Sequence, residues 1–303
     1  MASREGSESL DELVTESRRA DADYSTRSTR ALVELMNAED AAVPAVVGAA
    51  ASAIAAAIDA VVGRLERGGR LVYVGAGSSG RMGALDADEC EATFSTAPGQ
   101  VIAVVAGGSA ASSPEREAAE DDAEAGRRAV DELAVGPADA VVGISASGRT
   151  PYVLGALEAA RAVEALTIGV VSAPESELAR VAEHEILVVV GPEVLAGSTR
   201  LKAGTAQKLV LNTISTVAMI RLGKTFDDLM VDVRASNEKL EARARRIVSL
   251  STGASPEQAG EALAAADGSA KVAIVSLLGG LDVDSARRRL DESKGNIRTA
   301  LRA

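Results

Sequence analysis

The chain has one cysteine, one histidine and no tryptophan in 303 residues, and only 2% of it is aromatic. A lone cysteine (Cys90) cannot form an internal disulfide and suits a reducing cytosol. One thiol and one imidazole (His184) leave no zinc site built on thiolates and imidazoles. Two Phe and three Tyr are too few to provide a row of stacking platforms for a nucleic-acid strand or a polysaccharide. Basic residues are outnumbered 32 to 44, and a net charge of −12 argues against non-specific nucleic-acid binding. The N-terminal stretch MASREGSESLDELVTESRR is polar and acidic, lacks a signal-peptide apolar core, and gives no indication of export.

Apolar residues make up 47% of the sequence, so the core must be aliphatic, packed with Ala, Val, Ile and Leu. The length allows one large domain or two ordinary ones. Residues 41–58 (AAVPAVVGAAASAIAAAI) carry no charge and approach membrane-span length. Alanine is only weakly hydrophobic, Pro44 and Gly48 interrupt the run, and Asp59 closes it, so it reads as a buried Ala-rich helix rather than a span.

Residues 1–25 read as loosely ordered. Helical stretches are expected at about 27–37 and 41–67, the second closed by Gly68-Gly69. Five apolar runs follow: Arg70–Ala76, Val101–Ala106, Asp139–Ser145, Leu166–Ser172 and Ile186–Gly191. They are β-branched and continuous rather than alternating, as in strands buried on both faces. Helical patterns alternate with them, which predicts an α/β fold with a doubly wound, parallel, five-stranded sheet. A long helix is expected over Ser198–Leu222. Beyond 245 only short helical patterns remain, at about 255–265, 270–278, 282–291 and 294–301. The expected organisation is an N-terminal segment and first helix (1–40), a sheet domain (41–240) and a small helical C-terminal domain (245–303).

In an open parallel sheet, ligands bind where strands end and helices begin. The loop after the first strand, Gly75-Ala76-Gly77-Ser78-Ser79-Gly80-Arg81, fits the dinucleotide fingerprint, but the second strand ends Ala106-Gly107-Gly108-Ser109 without the acid that would hold a ribose. Two hydroxyls between glycines suit phosphate instead: glycine admits close approach, the helix start offers free N–H groups, and Ser78 and Ser79 add donors. An ordinary tight turn is the competing reading. The loop after the third strand, Ser145-Ala146-Ser147-Gly148-Arg149-Thr150-Pro151, again sets three hydroxyls and a glycine before a helix, though Thr150 also reads as a plain N-cap. A P-loop is absent, since Ala218 stands where its first glycine belongs, and Gly143-Ile144-Ser145-Ala146-Ser147 lacks the last glycine of a nucleophile elbow. A small phosphorylated molecule is the favoured ligand.

Acids cluster near these loops, in Asp86-Ala87-Asp88-Glu89-Cys90-Glu91 and at Glu115, Glu117, Glu120, Asp121, Asp122 and Glu124. Glu117, Glu120 and Glu124 share one helical face by spacing. A solvated acidic face and a carboxylate beside the ligand both fit this pattern. Cys90 reads as a small buried residue, because no histidine lies near it in sequence, and His184 as an ordinary surface or core residue.

The segments GAGSSGRMGALDADE (75–89), SASGRTPYV (145–153), GPEVLAGSTRLKAGTAQKLVLN (191–212) and LMVDVRASNEKL (229–240) resemble the N-acetylmuramic acid 6-phosphate etherases of the sugar isomerase (SIS) phosphosugar-binding superfamily. The resemblance runs from about Val14 to the C-terminus. It implies cytoplasmic homodimers of peptidoglycan recycling that cut a lactyl ether by elimination and hydration, giving N-acetylglucosamine 6-phosphate and D-lactate without metal or nucleotide. It carries the family's acid/base glutamate to Glu89 and its second essential glutamate to Glu120, a choice that helical spacing leaves open. Glu89 is then expected to protonate the leaving lactate and Glu120 to assist at C2, although the two roles are exchangeable. Gly77, Ser78, Ser79, Ser145, Ser147, Gly148 and Thr150 are expected to hold the phosphate, and Glu193, Ser198 and Lys202 to border the sugar.

The chain departs from the family pattern in three places. Ser78 stands where Thr is common, Glu91-Ala92 replaces Pro-Pro, and the N-terminal motif reads Glu16-Ser17-Arg18-Arg19-Ala20. A phosphosugar-binding regulator and an aldose–ketose phosphate isomerase are the alternatives on the same fold. Tyr73, Phe94 and Tyr152 are expected to border the phosphosugar site.

Overall fold

The computed structural model describes residues 13–20, 23–108, 113–232 and 238–302. Three helices open the fold: α1 (Thr29–Asp40), capped by the Ser28 side chain, α2 (Val43–Ala49) and α3 (Ala51–Leu65). The expected helix over 41–67 therefore breaks at Ala50, where the Ala50 N–H bonds back three residues to Val47 at 3.0 Å and tightens the last turn of α2. The Ala-rich run is buried on one side only: Ile54, Ala57, Ile58, Val61, Val62 and Leu65 face inward, while Ala51, Ala55 and Ala56 are exposed.

Then come β1 (Leu71–Gly75), α4 (Gly77–Phe94), β2 (Val101–Val105), α5 (Ser113–Glu120), α6 (Ala123–Glu132), β3 (Ala140–Ile144), α7 (Pro151–Ala162), β4 (Leu166–Val171), α8 (Glu177–Val181), β5 (His184–Leu187) and α9 (Lys202–Arg221). The strands form one parallel sheet in the order β2-β1-β3-β4-β5. The inner strands β1, β3 and β4 are buried at every residue, as their unbroken apolar runs predict, whereas the edge strand β2 is half-buried throughout. The last strand starts two residues before the expected Ile186 and stops at Leu187, because register with β4 pairs His184 with Ile168 and Leu187 with Val171. His184 is thus a half-buried residue of an edge strand.

One face of the sheet packs on α6 and α7 through Val72, Val74, Val130, Val153, Ala156 and Leu157. The helix expected to carry Glu117, Glu120 and Glu124 on one face is interrupted. The Asp122 carboxylate accepts from Ala125 N–H at 2.8 Å and starts α6 anew, which separates Glu124 from the other two.

The remaining elements are a short antiparallel pair, β6 (Thr225–Phe226) and β7 (Leu229–Met230), and the helices α10 (Glu238–Thr252), α11 (Pro256–Ala265), α12 (Ala270–Gly279), α13 (Val283–Glu292) and α14 (Ile297–Ala300). Caps explain their boundaries. Ser255 and Gln258 form a capping box on α11, Ser269, Asp282 and Asn296 cap α12, α13 and α14, and Gly280 ends α12 in the left-handed conformation. The helices enclose their own core of Val248, Leu263, Ala273, Ile274, Leu290 and Ile297.

The chain divides into two compact units, one made of the residues up to Ala87 with Gln100–Ile214, the other of Asp88–Gly99 with Ser215 onward. Within the second unit, Lys271 is mostly buried and pairs with Asp232 at 2.8 Å, and Lys224 reaches the same carboxylate at 3.0 Å. No single helix among the described residues is long and apolar enough to cross a membrane.

Candidate active site

A cavity of about 400 Å³ opens in the first unit beside the ends of β1 and β3. Two loops form most of its wall, and they are built differently. In the first, the backbones of Gly75 and Gly80 touch, and a Cβ on Gly80 would lie 2.6 Å from the Gly75 carbonyl oxygen. That contact brings the start of α4 directly under the strand end. Gly77 has φ +51°, which disfavours a side chain, and a Cβ there would come 2.7 Å from Glu120 Oε1. The Glu120 carboxylate therefore rests against the loop backbone. Ser78 and Ser79 line the cavity, and Ser78 Oγ accepts from the Arg81 guanidinium at 3.0 Å.

The second loop is held by its own hydroxyls. Ser145 Oγ lies 2.8 Å from Thr150 Oγ1 and accepts from Gly148 N–H at 3.0 Å. Ser147 Oγ accepts from Arg149 N–H at 3.3 Å. Thr150 occupies the N-cap position of α7 yet makes no side-chain cap, because its hydroxyl turns to Ser145. Pro151 has no N–H, and the Val153 and Leu154 N–H groups bond to the Thr150 carbonyl at 3.0 Å each, so the start of α7 is closed by backbone rather than by a side-chain cap.

The cavity brings together Gly77, Ser78, Ser79, Glu120, Ser145, Ser147 and Thr150. Gly148 lies beneath the loop, buried, where a Cβ would meet Ser176 at 2.4 Å or closer. Three other candidates are not among the lining residues. Glu193 is fully buried and caps α9, accepting from the N–H groups of Lys202 and Ala203 at 3.0 Å each. Lys202 is buried and pairs with Glu39 at 2.7 Å. Ser198 sits in the turn before α9, its N–H bonded to Leu195 O at 2.9 Å. Glu89 is exposed, lies on α4 in the second unit, and is also not among the lining residues.

Burial pushes the Glu120 carboxyl above its ordinary range, and the neighbouring Asp121 and Glu117 carboxylates push it further, against the opposing charge of Arg81. A carboxyl that holds its proton more tightly than usual, in a cleft with hydroxyl donors, is suited to proton transfer.

Sequence reasoning missed Thr15, Glu16, Glu117 as a wall residue, Arg81, Gly197 and Thr199, all of which line the cavity. Arg81 follows the glycine loop directly and was legible from its position. Glu16 opens the N-terminal family motif, which was its one signal, while Thr15 had none, and both lie far away in sequence within a stretch read as loosely ordered. From Leu13 that stretch is docked, with Leu13 and Thr15 both buried. The part before Leu13 lies outside the described residues. The three aromatics expected at the site are core residues instead. Tyr73, Phe94 and Tyr152 are all buried, none of them lines the cavity, and the Tyr73 hydroxyl donates to Asp86 at 2.7 Å. Asp86 also accepts from Asn212 at 2.6 Å, so it ties α4 to β1 and α9. Cys90 is buried, as expected for a small residue in a core.

The chain is similar to several known proteins. A family model described as the N-terminal SIS domain of glucokinase regulatory protein matches residues 53–161, and a model of the SIS domain matches 123–216. A phosphoheptose isomerase structure from Francisella tularensis is 18% identical with a TM-score of 0.47, covering 62% of this chain and 98% of that one. Over 295 residues the chain is 60% identical to the N-acetylmuramic acid 6-phosphate etherase of Rubrobacter xylanophilus, covering 97% of each chain. It is 56% identical to the etherase of Streptomyces avermitilis, covering 97% of this chain and 95% of that relative. The chain belongs to the N-acetylmuramic acid 6-phosphate etherase family.

Proposed function

We propose that this protein cleaves the D-lactyl ether of N-acetylmuramic acid 6-phosphate, giving N-acetylglucosamine 6-phosphate and D-lactate. The observation that carries the reading is the Glu120 carboxyl, its proton affinity raised, set against the glycine loop in a cavity lined by the hydroxyls of both loops. Ser78, Ser79, Ser145, Ser147 and Thr150, with the amides at the start of α4, hold the phosphate. In the open-chain sugar the C2 hydrogen is acidic because it is alpha to the aldehyde. Glu120 takes that proton, and the C3–O bond breaks. An acid protonates the departing lactate oxygen so that it does not leave as a bare alkoxide. Water then adds at C3 and C2 is reprotonated, so one ether and one water become two hydroxyls. Glu89 is the proposed acid, on its match to the family segment, and it later helps to activate water.

The protein works as a homodimer in the cytoplasm on this reading. Support for the dimer comes from the charge-free surface at residues 41–58, where Pro44, Ala45, Ala49, Ala51, Ala55 and Ala56 are exposed. Light scattering of the purified protein tests it, and an Ala49→Arg variant should shift the mass towards the monomer.

Incubation with N-acetylmuramic acid 6-phosphate tests the reaction, and release of D-lactate is the expected result. The match to a regulatory-protein domain favours one second reading, a phosphosugar sensor, which predicts binding without turnover. Ketose formation from another sugar phosphate would instead identify an isomerase.

A further inference from the structure

The cavity has a wall that the phosphate-binding loops do not supply. The N-terminal segment provides it through Thr15 and Glu16, which face Gly197 and Thr199. This segment is strapped to the loop before α9. Gly197 N–H donates to Thr15 O at 2.9 Å, and the Tyr24 hydroxyl donates to Val194 O at 2.9 Å. Arg19 and Lys202 both pair with Glu39, at 2.5 and 2.7 Å. The strap fixes where Thr15 and Glu16 point.

Both side chains are left over from the protein's own bonding. Thr15 lines the cavity and is 2% exposed, and among the described residues its buried Oγ1 has no hydrogen-bond partner. An unpaired buried hydroxyl is costly unless something outside the chain satisfies it. Glu16 is half-buried, and among the described residues its carboxylate makes no hydrogen bond or ion pair. It lies against Gly197, where a Cβ would come 2.5 Å from Glu16 Oε2, so glycine at that position leaves room for the carboxylate. Such a carboxylate accepts hydrogen bonds and repels phosphate. The same cavity also carries Arg81 and the loop hydroxyls.

We infer that Glu16 and Thr15 read the end of the phosphosugar remote from its phosphate, Glu16 accepting from a neutral O–H or N–H donor of the sugar and Thr15 Oγ1 making a second polar contact. Because a carboxylate repels phosphate, the phosphate is directed to the loop hydroxyls and Arg81 rather than to Glu16. This rests on the phosphosugar reading of the same cavity and adds a specificity wall to it.

The test compares wild type with Glu16→Ala, Glu16→Gln and Thr15→Val. KM for N-acetylmuramic acid 6-phosphate is measured beside the inhibition constant of inorganic phosphate, which reports the phosphate end alone. The expected result is a KM rise of about tenfold or more in Glu16→Ala, a smaller rise in Glu16→Gln, and a severalfold rise in Thr15→Val, with phosphate inhibition within twofold of wild type. Thr15→Val deletes a hydroxyl that bonds nothing among the described residues, so its melting temperature should hold or rise, which separates ligand contact from folding. Unchanged KM in both Glu16→Ala and Thr15→Val overturns the inference. So does a parallel loss of phosphate inhibition, since it would mean that the wall merely props up the cavity. If wild type releases no lactate, the proposed reaction fails; the same comparison, made on dissociation constants from calorimetry, still decides the role of Glu16.

Discussion

The loops at 75–80 and 145–150 resemble each other in composition but hold their shape by opposite means. The first is shaped by missing side chains: Gly75 lies against Gly80, and Gly77 against the Glu120 carboxylate. Its serines are spare, Ser78 meeting only Arg81 among the described residues. The second is shaped by the side chains it has, with Ser145 bonding both Thr150 and the Gly148 amide. A loop made by backbone contact can place a carboxylate and keep its hydroxyls for a ligand. A loop made by hydroxyls spends part of their bonding on itself and presents a preformed cradle.

Four substitutions sharpen or break this contrast. The largest effect is expected from Glu120→Gln, which keeps the shape against Gly77 but removes the titrating group. Activity on N-acetylmuramic acid 6-phosphate should fall by about 10²–10⁴-fold. Its stability should move the other way. The folded state holds the Glu120 proton more tightly than the unfolded chain, so the stability which that proton lends is present at acidic pH and lost as pH rises through the raised value. Glu120→Gln should therefore melt higher than wild type at neutral pH and no higher at acidic pH, as calorimetry would show. A lower melting point at neutral pH would mean that the carboxylate is a structural partner of the first loop.

Gly80→Ala comes next, since its Cβ would press on the Gly75 carbonyl and on Val105. Chemical denaturation should register a loss of about 3 kcal/mol. A near-neutral result would show that the first loop does not depend on that contact. Ser145→Ala should cost about 1 kcal/mol, because the loop loses the hydroxyl bonds to Thr150 and to the Gly148 N–H, which keeps only the Ser145 carbonyl at 3.2 Å. The smallest change in stability, within about 0.5 kcal/mol, is expected for Ser78→Ala, with a raised KM. If Ser78→Ala destabilises as much as Ser145→Ala, the distinction between the loops fails.

Much of this was legible beforehand. Continuous apolar runs identify buried parallel strands because two covered faces leave no polar side to alternate with. Both loops could be found because the ends of parallel strands are where helix starts converge. Glu120 could not be separated from Glu117 by spacing alone. The distinction is in the fold: one carboxylate rests against Gly77 while the other stays exposed. The aromatics misled for a related reason. Tyr73 and Tyr152 sit next to site residues in sequence, but strand alternation and helix packing turn their rings into the core.

The sequence by itself determined the layered α/β pattern, the aliphatic core and the two loops with phosphate-binding chemistry, since each is a local property of spacing and residue type. Only the tertiary structure decided which acids face the cavity, how each loop is held, and that Thr15 and Glu16 complete its wall. Those outcomes depend on contacts between distant segments, such as Thr15 with Gly197 and Gly77 with Glu120, and local periodicity carries no information about such contacts.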